Sequence, residues 1–228
     1  MTSVLVKGFR RPKNCDRLIV DKALVSHFGV IGSATRFTDA KEVLLISDVN
    51  QLPFIDGLNL FEMQYSSPSL MATFTKELLY TYRNSMGVAC ALCEVYSGIY
   101  SFMSRVRSLR LKRYNDVNIP KDFPNPLYLT YTQVKEETLI TQGLGEGDGT
   151  RVLTILKAQG LTSEGSVIVR ITARHKLHDN VSHAVVVITR HTVSCVYYTD
   201  DGEDAIGTYI KVAARQNKGP QRKNSHSK

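Results

Sequence analysis

Apolar residues in this chain gather in short runs that stop at polar tips. Leu18-Ile19-Val20 ends at Asp21, Val43-Leu44-Leu45-Ile46 ends at Ser47-Asp48, and Ala184-Val185-Val186-Val187-Ile188 ends at Thr189-Arg190-His191-Thr192. Runs this short and apolar on both faces predict strands of a parallel sheet with helices covering either side. The segment from Lys22 to Phe37, between the first two runs, reads as helix with loops, and strand, polar tip, connection, strand is the order of an α/β chain. The third run is read as a buried strand that delivers Arg190 and His191 to its carboxyl end, where open α/β sheets meet their ligands. Two uses are open to that Arg: meeting a phosphate, or capping a nearby carboxylate.

The remaining pattern extends this reading. A turn at Ser66-Ser67-Pro68-Ser69 is followed by a helical segment leading into Glu77 to Arg83, with a domain division placed near residue 75. Helical spacing covers Met86 to Tyr100. A basic patch follows (Arg105, Arg107, Arg110, Lys112, Arg113), and then a loop from Asn115 to Pro126. Leu127 to Thr132 alternates and is rich in β-branched and aromatic residues, which predicts a strand. Glu136 to Gln142 reads as a short helix, and Gly143 to Gly149 as an acidic, turn-rich loop poorly suited to cradling phosphate. Arg151 to Ile155 leads into Leu156 to Thr162, and Val167 to Ile171 forms another strand. The polar segment from Thr172 to Ser182, with His175, His178 and the adjoining His183, reads as a solvated loop rather than a metal site, since only Asp179 lies near as a further ligand. Val193 to Tyr198 is expected to pair with the Ala184–Ile188 run as a hairpin or adjacent strand. The fold class is therefore α/β.

Composition narrows the partners. With 228 residues, 43% hydrophobic and 22% charged, the chain suits one domain or two smaller ones. Its net charge of +8 favours anionic partners such as nucleic acid or nucleotides, and the segment after Tyr209 contributes Lys211, Arg215, Lys218, Arg222, Lys223 and Lys228 against no acid. Cys15, Cys90, Cys93 and Cys195 are too few and too irregular for a disulfide scaffold, which points to a reduced, cytoplasmic setting. Cys90 and Cys93 fall within helical spacing, so a structural pair is expected there and not zinc. The sequence has no apolar stretch long enough to suggest a membrane span.

Read together, the polar tips resemble the superfamily 1 helicase domain of alphavirus-like positive-strand RNA viruses, over about Cys15 to Ile210. Leu18-Ile19-Val20-Asp21-Lys22-Ala23 is similar to that family's Walker B strand, and Leu45 to Phe54, with Asp48, Gln51 and Pro53, looks like its motif III. Thr81-Tyr82-Arg83 resembles motif IV and Tyr131-Thr132-Gln133 the signature after it. Thr154 to Thr162 resembles motif V, and Thr189 to Thr192 motif VI. The resemblance implies two RecA-like lobes with P-loop NTPase folds, ATP with Mg²⁺ between them, and single-stranded RNA across their tops. It divides the chain into a partial first lobe (1–75), a second lobe (76–212) and a basic tail (213–228). By the same resemblance Asp21 would hold Mg²⁺, Asp48 and Gln51 would face the nucleotide, and Arg83 and Arg190 would act as arginine fingers. Gly160 would approach the nucleotide closely. Tyr131, Gln133, Gln159, Thr162 and His191 would face RNA.

Several positions depart from the family pattern. The chain has no GxxxxGK[ST] phosphate loop, and Met1 lies shortly before the Walker B-like strand. Lys22 stands where the family carries the Glu that activates water, Lys157 where motif V carries Glu, Leu156 where it carries His, and Ser47 where motif III has Gly. Losing one such catalytic group costs about 10²- to 10⁴-fold in rate. The expectation is thus the C-terminal part of a helicase, truncated and altered, that binds ATP without independent hydrolysis or unwinding, with a first lobe supplied in trans as one route to completion. Two alternatives stand beside it: a non-catalytic RNA-binding or interaction module, and a non-functional endogenous viral relic.

Overall fold

The computed structural model describes residues 15–53, 76–104, 107–114, 119, 125–170 and 176–216. Phe54, the turn at 66–69, the segment leading into Glu77, Arg105, most of the loop from 115 to 126, His175 and the tail from 217 lie outside the described residues. The chain separates into two units, Met1–Glu77 and Leu78–Lys228.

In the first unit, β1 (Arg17–Asp21) and β2 (Glu42–Ile46) pair in parallel, with Asp21 opposite Ile46. A 3-10 turn (Ala23–Val25) and helix α1 (Phe28–Thr38) make the crossover. The His27 ring accepts the Gly29 amide at 3.0 Å and caps the first turn of α1. Val20, Ala23 and Ile31 bury against Leu18 and Leu45, so the helix covers one face. The expectation of cover on both faces fails among the described residues, because Ile19 is 60% and Leu44 48% exposed on the pair's other positions.

In the second unit, β3 (Tyr80–Ser85) leads directly into α2 (Met86–Ala91), whose first turn is capped by the Ser85 hydroxyl. The helix expected to continue to Tyr100 stops at Ala91. Turns carry the chain through Gly98, at φ +80, into β4 (Tyr100–Met103), which lies parallel to β3. The alternation Tyr100-Ser101-Phe102 is a period-2 pattern, and it overrode the helical spacing.

The main sheet holds five parallel strands in the order β5-β9-β8-β6-β7. These are β5 (Leu109–Arg113), β6 (Pro126–Thr130), β7 (Arg151–Thr154), β8 (Ser163–Arg170) and β9 (His191–Thr199). Helix α3 (Gln133–Thr141) crosses between β6 and β7, α4 (Val181–Ile188) precedes β9, and α5 (Ala205–Gln216) closes the fold. Tyr128, Leu139, Val152, Val167 and Val196 share one buried cluster, each contributing about 1.5–3 kcal/mol by leaving water. β5 is an edge, and its exposed Arg110, Lys112 and Arg113 put charge where another strand would otherwise pair. The basic patch is thus in part a strand edge.

Three expectations are corrected. Ala184 to Ile188 is not a strand but the body of α4, every one of these residues buried. A helix apolar all round is a core helix, and a short apolar run is ambiguous between the two states. The deciding signal is local: Asn180 accepts the His183 amide at 3.0 Å as an N-cap. Val193 to Tyr198 accordingly forms no hairpin with it, but lies within β9 and runs parallel to β8 and β5. The described part of the histidine segment is not simply a solvated loop either, since Lys176–Asp179 is a 3-10 turn in which His178 is buried while Lys176 and Asp179 are exposed, and His183 lies on α4. Helix α5 had no counterpart in the sequence reading. Its Asp204 carboxylate accepts the Gly207 amide at 2.8 Å, and the helix runs through Gln216, past the start of the expected tail. Among the described residues no helix is long and apolar enough to cross a membrane.

Candidate functional site

The sequence reading placed Arg190 at the carboxyl end of a strand, and the structure puts it at the amino end. Because α4 replaces that strand, Arg190 follows the helix and precedes β9. The amino end of β8 lies beside it: the Ser163 amide donates to the Arg190 carbonyl at 2.9 Å, and Ser163 pairs with His191. The residues just before β8 form a tight turn after β7, closed by Ala158 N to Thr154 O at 3.0 Å and Leu161 N to Ala158 O at 3.0 Å. Gly160 sits in this turn at φ +93, a backbone state that a side chain would strain.

Arg190 ties these pieces together. Its guanidinium is buried and donates to three oxygens: Val186 carbonyl at 2.9 Å, Leu161 carbonyl at 3.2 Å and Thr189 Oγ1 at 2.9 Å. The Val186 carbonyl belongs to the last turn of α4, where carbonyls lack helical partners, so Arg190 caps the helix while gripping the turn before β8.

Arg83 approaches the same turn from β3. Its Nη1 donates to Thr162 Oγ1 at 2.9 Å, and its Nε, buried within an otherwise half-buried side chain, meets no acceptor. Burial lowers its pKa below the ordinary arginine value, yet it stays a cation at any physiological pH. His191 is fully buried, and neither ring nitrogen finds a hydrogen-bond partner of good geometry. Burial first, and the Arg83 cation second, push its pKa down to about 4, against the opposing Ile188 carbonyl. The imidazole is therefore neutral at pH 7. One cation with a spare donor, one neutral imidazole and the hydroxyl of Thr162 meet at the amino ends of β8 and β9.

The other expected residues divide. Gln159 is half-buried in the turn, Thr162 is exposed and Gln133 is exposed at the first position of α3. Tyr131 is half-buried, its hydroxyl out of solvent, and its ring packs edge-on against His178 at 4.4 Å and lies 6.3 Å from His183. Burial, with Tyr197 and Asp204 nearby, pushes its hydroxyl pKa far above the usual range.

In the first unit, Asp21 ends β1 exposed, and Ser47 and Asp48 follow the end of β2. Ser47 Oγ accepts the Leu24 amide at 3.0 Å, which ties the two tips together. Asp48 accepts the Asn50 amide at 3.0 Å and Gln51 Nε2 at 2.8 Å, so Gln51 is held by Asp48. Lys22 holds a left-handed backbone at φ 55 with an exposed side chain.

Two features escaped the sequence reading. Lys157 Nζ donates to both oxygens of buried Glu136, at 2.9 and 3.0 Å, joining the turn after β7 to α3. Opposite charges 21 residues apart carry no local signal. At the carboxyl ends of β8 and β9, buried Arg170 pairs with Asp204 at 3.2 Å and bonds Asp201 and Thr199, while Tyr197 donates to Asp204. Burial opposes the Arg170 cation, but Tyr197, Asp204 and Asp201 outweigh it and raise its pKa.

The donor set can be tested against a nucleotide and its metal. The unpartnered Nε of Arg83 and the buried His191 nitrogens suit an anionic, oxygen-rich group. Asp21 supplies a single exposed carboxylate, and no group of three metal-ligating side chains occurs among the described residues. A lone carboxylate suits a Mg²⁺ that keeps most of its water shell, not an all-protein cage.

Residues 3–199 match the viral superfamily 1 RNA helicase core domain. The methyltransferase/helicase/RNA-directed RNA polymerase of Raspberry bushy dwarf virus is 27% identical over 203 residues, covering 84% of this chain and 12% of that protein. The replicase large subunit of Potato mop-top virus is 31% identical over 193 residues, covering 78% of this chain and 10% of that protein. The chain thus spans about a tenth of the length of these replicase relatives. Among solved structures, the PRRSV helicase superposes with a TM-score of 0.55 at 16% identity, over 86% of this chain and 37% of that one. An arterivirus nonstructural protein 10 helicase, solved as a complex with DNA, gives 0.52 at 18% identity over 84% and 41%. These two structures share the fold, and the five-stranded parallel sheet is consistent with a RecA-like lobe.

Proposed function

The chain belongs to the viral superfamily 1 RNA helicase family, and from that premise we propose that its second unit binds a nucleotide phosphate and single-stranded RNA without carrying out hydrolysis by itself. The observation that carries this reading is the convergence of Arg83, Thr162, Arg190 and His191 at the amino ends of β8 and β9. The two arginines have different tasks. Arg83, half-buried with a spare donor, is the phosphate-binding group, and Arg190 is the clamp that holds α4 and the Gly160 turn in place. A charged donor preset in a partly dry site stabilises phosphoryl oxygens at little reorganisation cost.

In the first unit, taken by itself, Asp21 at the end of β1 is the residue proposed to hold a Mg²⁺, and Asp48 and Gln51, which follow β2, are proposed nucleotide contacts. Gly160 permits close approach of the backbone, and Gln159, Thr162 and Gln133 are the proposed RNA contacts. Hydrolysis needs a base for the attacking water, and Lys22, at the position the family fills with Glu, cannot accept that proton. The proposed role is nucleotide-dependent RNA binding.

Titration of the purified chain with labelled ATP and Mg²⁺ tests this. Saturable binding that Arg83→Gln weakens, with no phosphate release above background, is the expected result. Absence of binding at millimolar ATP, with or without RNA, would overturn the nucleotide reading, and measurable turnover would overturn the non-hydrolytic part.

A further inference from the structure

Strand β3 has two faces of opposite character. Arg83 reaches inward to Thr162, while Tyr80 and Tyr82 alternate with it and stand on the other face, where β4 adds Tyr100 and Phe102. These four rings are 66, 72, 47 and 57% exposed. They form one array around Phe102: Tyr82 stacks on it at 4.9 Å with planes 6° apart, Tyr100 meets it edge-on at 5.4 Å, and Tyr80 lies tilted at 5.7 Å. Parallel strands are ordinarily covered on both faces, so an exposed aromatic array here calls for an occupant.

The surroundings are cationic. Apart from the inward-reaching Arg83, the described residues from 78 to 114 hold four basic side chains (Arg107, Arg110, Lys112, Arg113) and one acid, Glu94. The Ser85 and Ser108 hydroxyls meet at 2.5 Å and join the end of β3 to the residue before β5. At about 3.3 Å per strand residue, Tyr82 lies about 10 Å from that joint and Arg110 about 7 Å beyond it. Rings and cations thus adjoin within a few nucleotides' reach.

We infer that the outward face of β3 and β4 is a stacking platform for the bases of single-stranded RNA, whose phosphates run onto the Arg107 to Arg113 edge. The inference rests on the RNA-binding reading above but adds a surface distinct from Gln133, Gln159 and Thr162. Bases present a π-face to any ring, and their backbone supplies an unbroken line of anions, so one ligand satisfies both halves of the surface. An acidic peptide would meet the cations and leave the rings without partners.

Fluorescence anisotropy of a labelled single-stranded 12-mer, at low salt and across a salt series, tests it on the full chain. Tyr82→Ala and Phe102→Ala should each weaken binding by about 5- to 100-fold, the range of one lost base stack, without changing the salt slope. Tyr82→Phe, which keeps the ring, should retain wild-type affinity, and Arg110→Gln should instead flatten the slope by about 0.7 for each phosphate it no longer neutralises. Photocrosslinking of 4-thiouridine RNA to the wild-type chain gives a readout independent of any variant's folding, with adducts expected at Tyr82, Tyr100 or Phe102. Wild-type RNA affinity in both Ala variants, or adducts confined to Gln133, Gln159 and Thr162, would overturn the platform while leaving the RNA reading intact. No RNA binding by the wild-type chain would overturn both. Loss of self-association in the Ala variants with RNA affinity unchanged would assign the face to a second copy of the chain and overturn the inference.

Discussion

Thr162 accepts the Arg83 guanidinium at 2.9 Å across 79 residues of sequence, while Arg190 grips the carbonyl of the residue before it, Leu161, at 3.2 Å. Two arginines therefore hold consecutive residues of one turn, one through an exposed hydroxyl and the other through a partly buried backbone carbonyl. Their mutational signatures should differ.

Arg83→Gln removes a single hydrogen bond to an exposed hydroxyl, so the urea midpoint should shift by no more than about 1 kcal/mol equivalent. Nucleotide affinity should fall about 10- to 100-fold, as expected for one charge-assisted bond. A large stability loss in this variant would show that Arg83 is structural.

Arg190→Ala takes one of two donors from the Val186 carbonyl, which keeps the Thr189 hydroxyl, removes the guanidinium bond to the Leu161 carbonyl, and empties the space of a buried side chain. A loss of about 2–4 kcal/mol in urea unfolding is expected, and Arg190→Lys should recover little, because one ammonium cannot replace the fork. A variant as stable as the wild type would remove the clamp role.

Lys157 pairs with buried Glu136, and the ion pair holds the turn after β7 to α3. Lys157→Glu should destabilise the chain by about 1–3 kcal/mol by setting like charges together, and the double exchange Lys157→Glu with Glu136→Lys should restore most of it. Additive losses in the thermal melts of the three variants would show that the two residues are not coupled.

His191 makes stability depend on pH. Its folded pKa of about 4 lies below the unfolded value, so both states are neutral above about pH 6.5 and the full stability is present there. Between about 6.5 and 4 the unfolded chain binds a proton that the folded chain refuses. Stability therefore falls with pH by up to about 1.4 kcal/mol per unit. Burial lowers His183 in the same direction, so His191→Asn should reduce the slope without abolishing it. Equal slopes in wild type and variant, measured by urea unfolding from pH 4 to 7, would contradict this assignment.

Gly207 lies in the first turn of α5, where an added Cβ would collide with the Gly202 carbonyl oxygen. Gly207→Ala gains about 1 kcal/mol of helix propensity but forces backbone apart, and a net loss of about 1–3 kcal/mol is expected in thermal unfolding. A stabilised variant would mean that α5 does not pack as described.

What the sequence determined by itself were the elements with strong local signals. β1, β2, β6, β8 and the Val193–Tyr198 part of β9 were legible because they are short apolar or alternating runs bounded by polar residues, and the order of motifs carried the family. Ala184 to Ile188 misled because five buried apolar residues have no period to read, and the N-cap at Asn180 was the only local evidence for a helix. Tertiary structure alone decided the rest. It moved Arg190 from a strand's carboxyl end to the amino ends of β8 and β9, paired Lys157 with Glu136, and set the Tyr131 ring against His178. Each depends on side chains brought together from distant positions, and short-range periodicity holds no information about which distant partner a buried donor or charge will find.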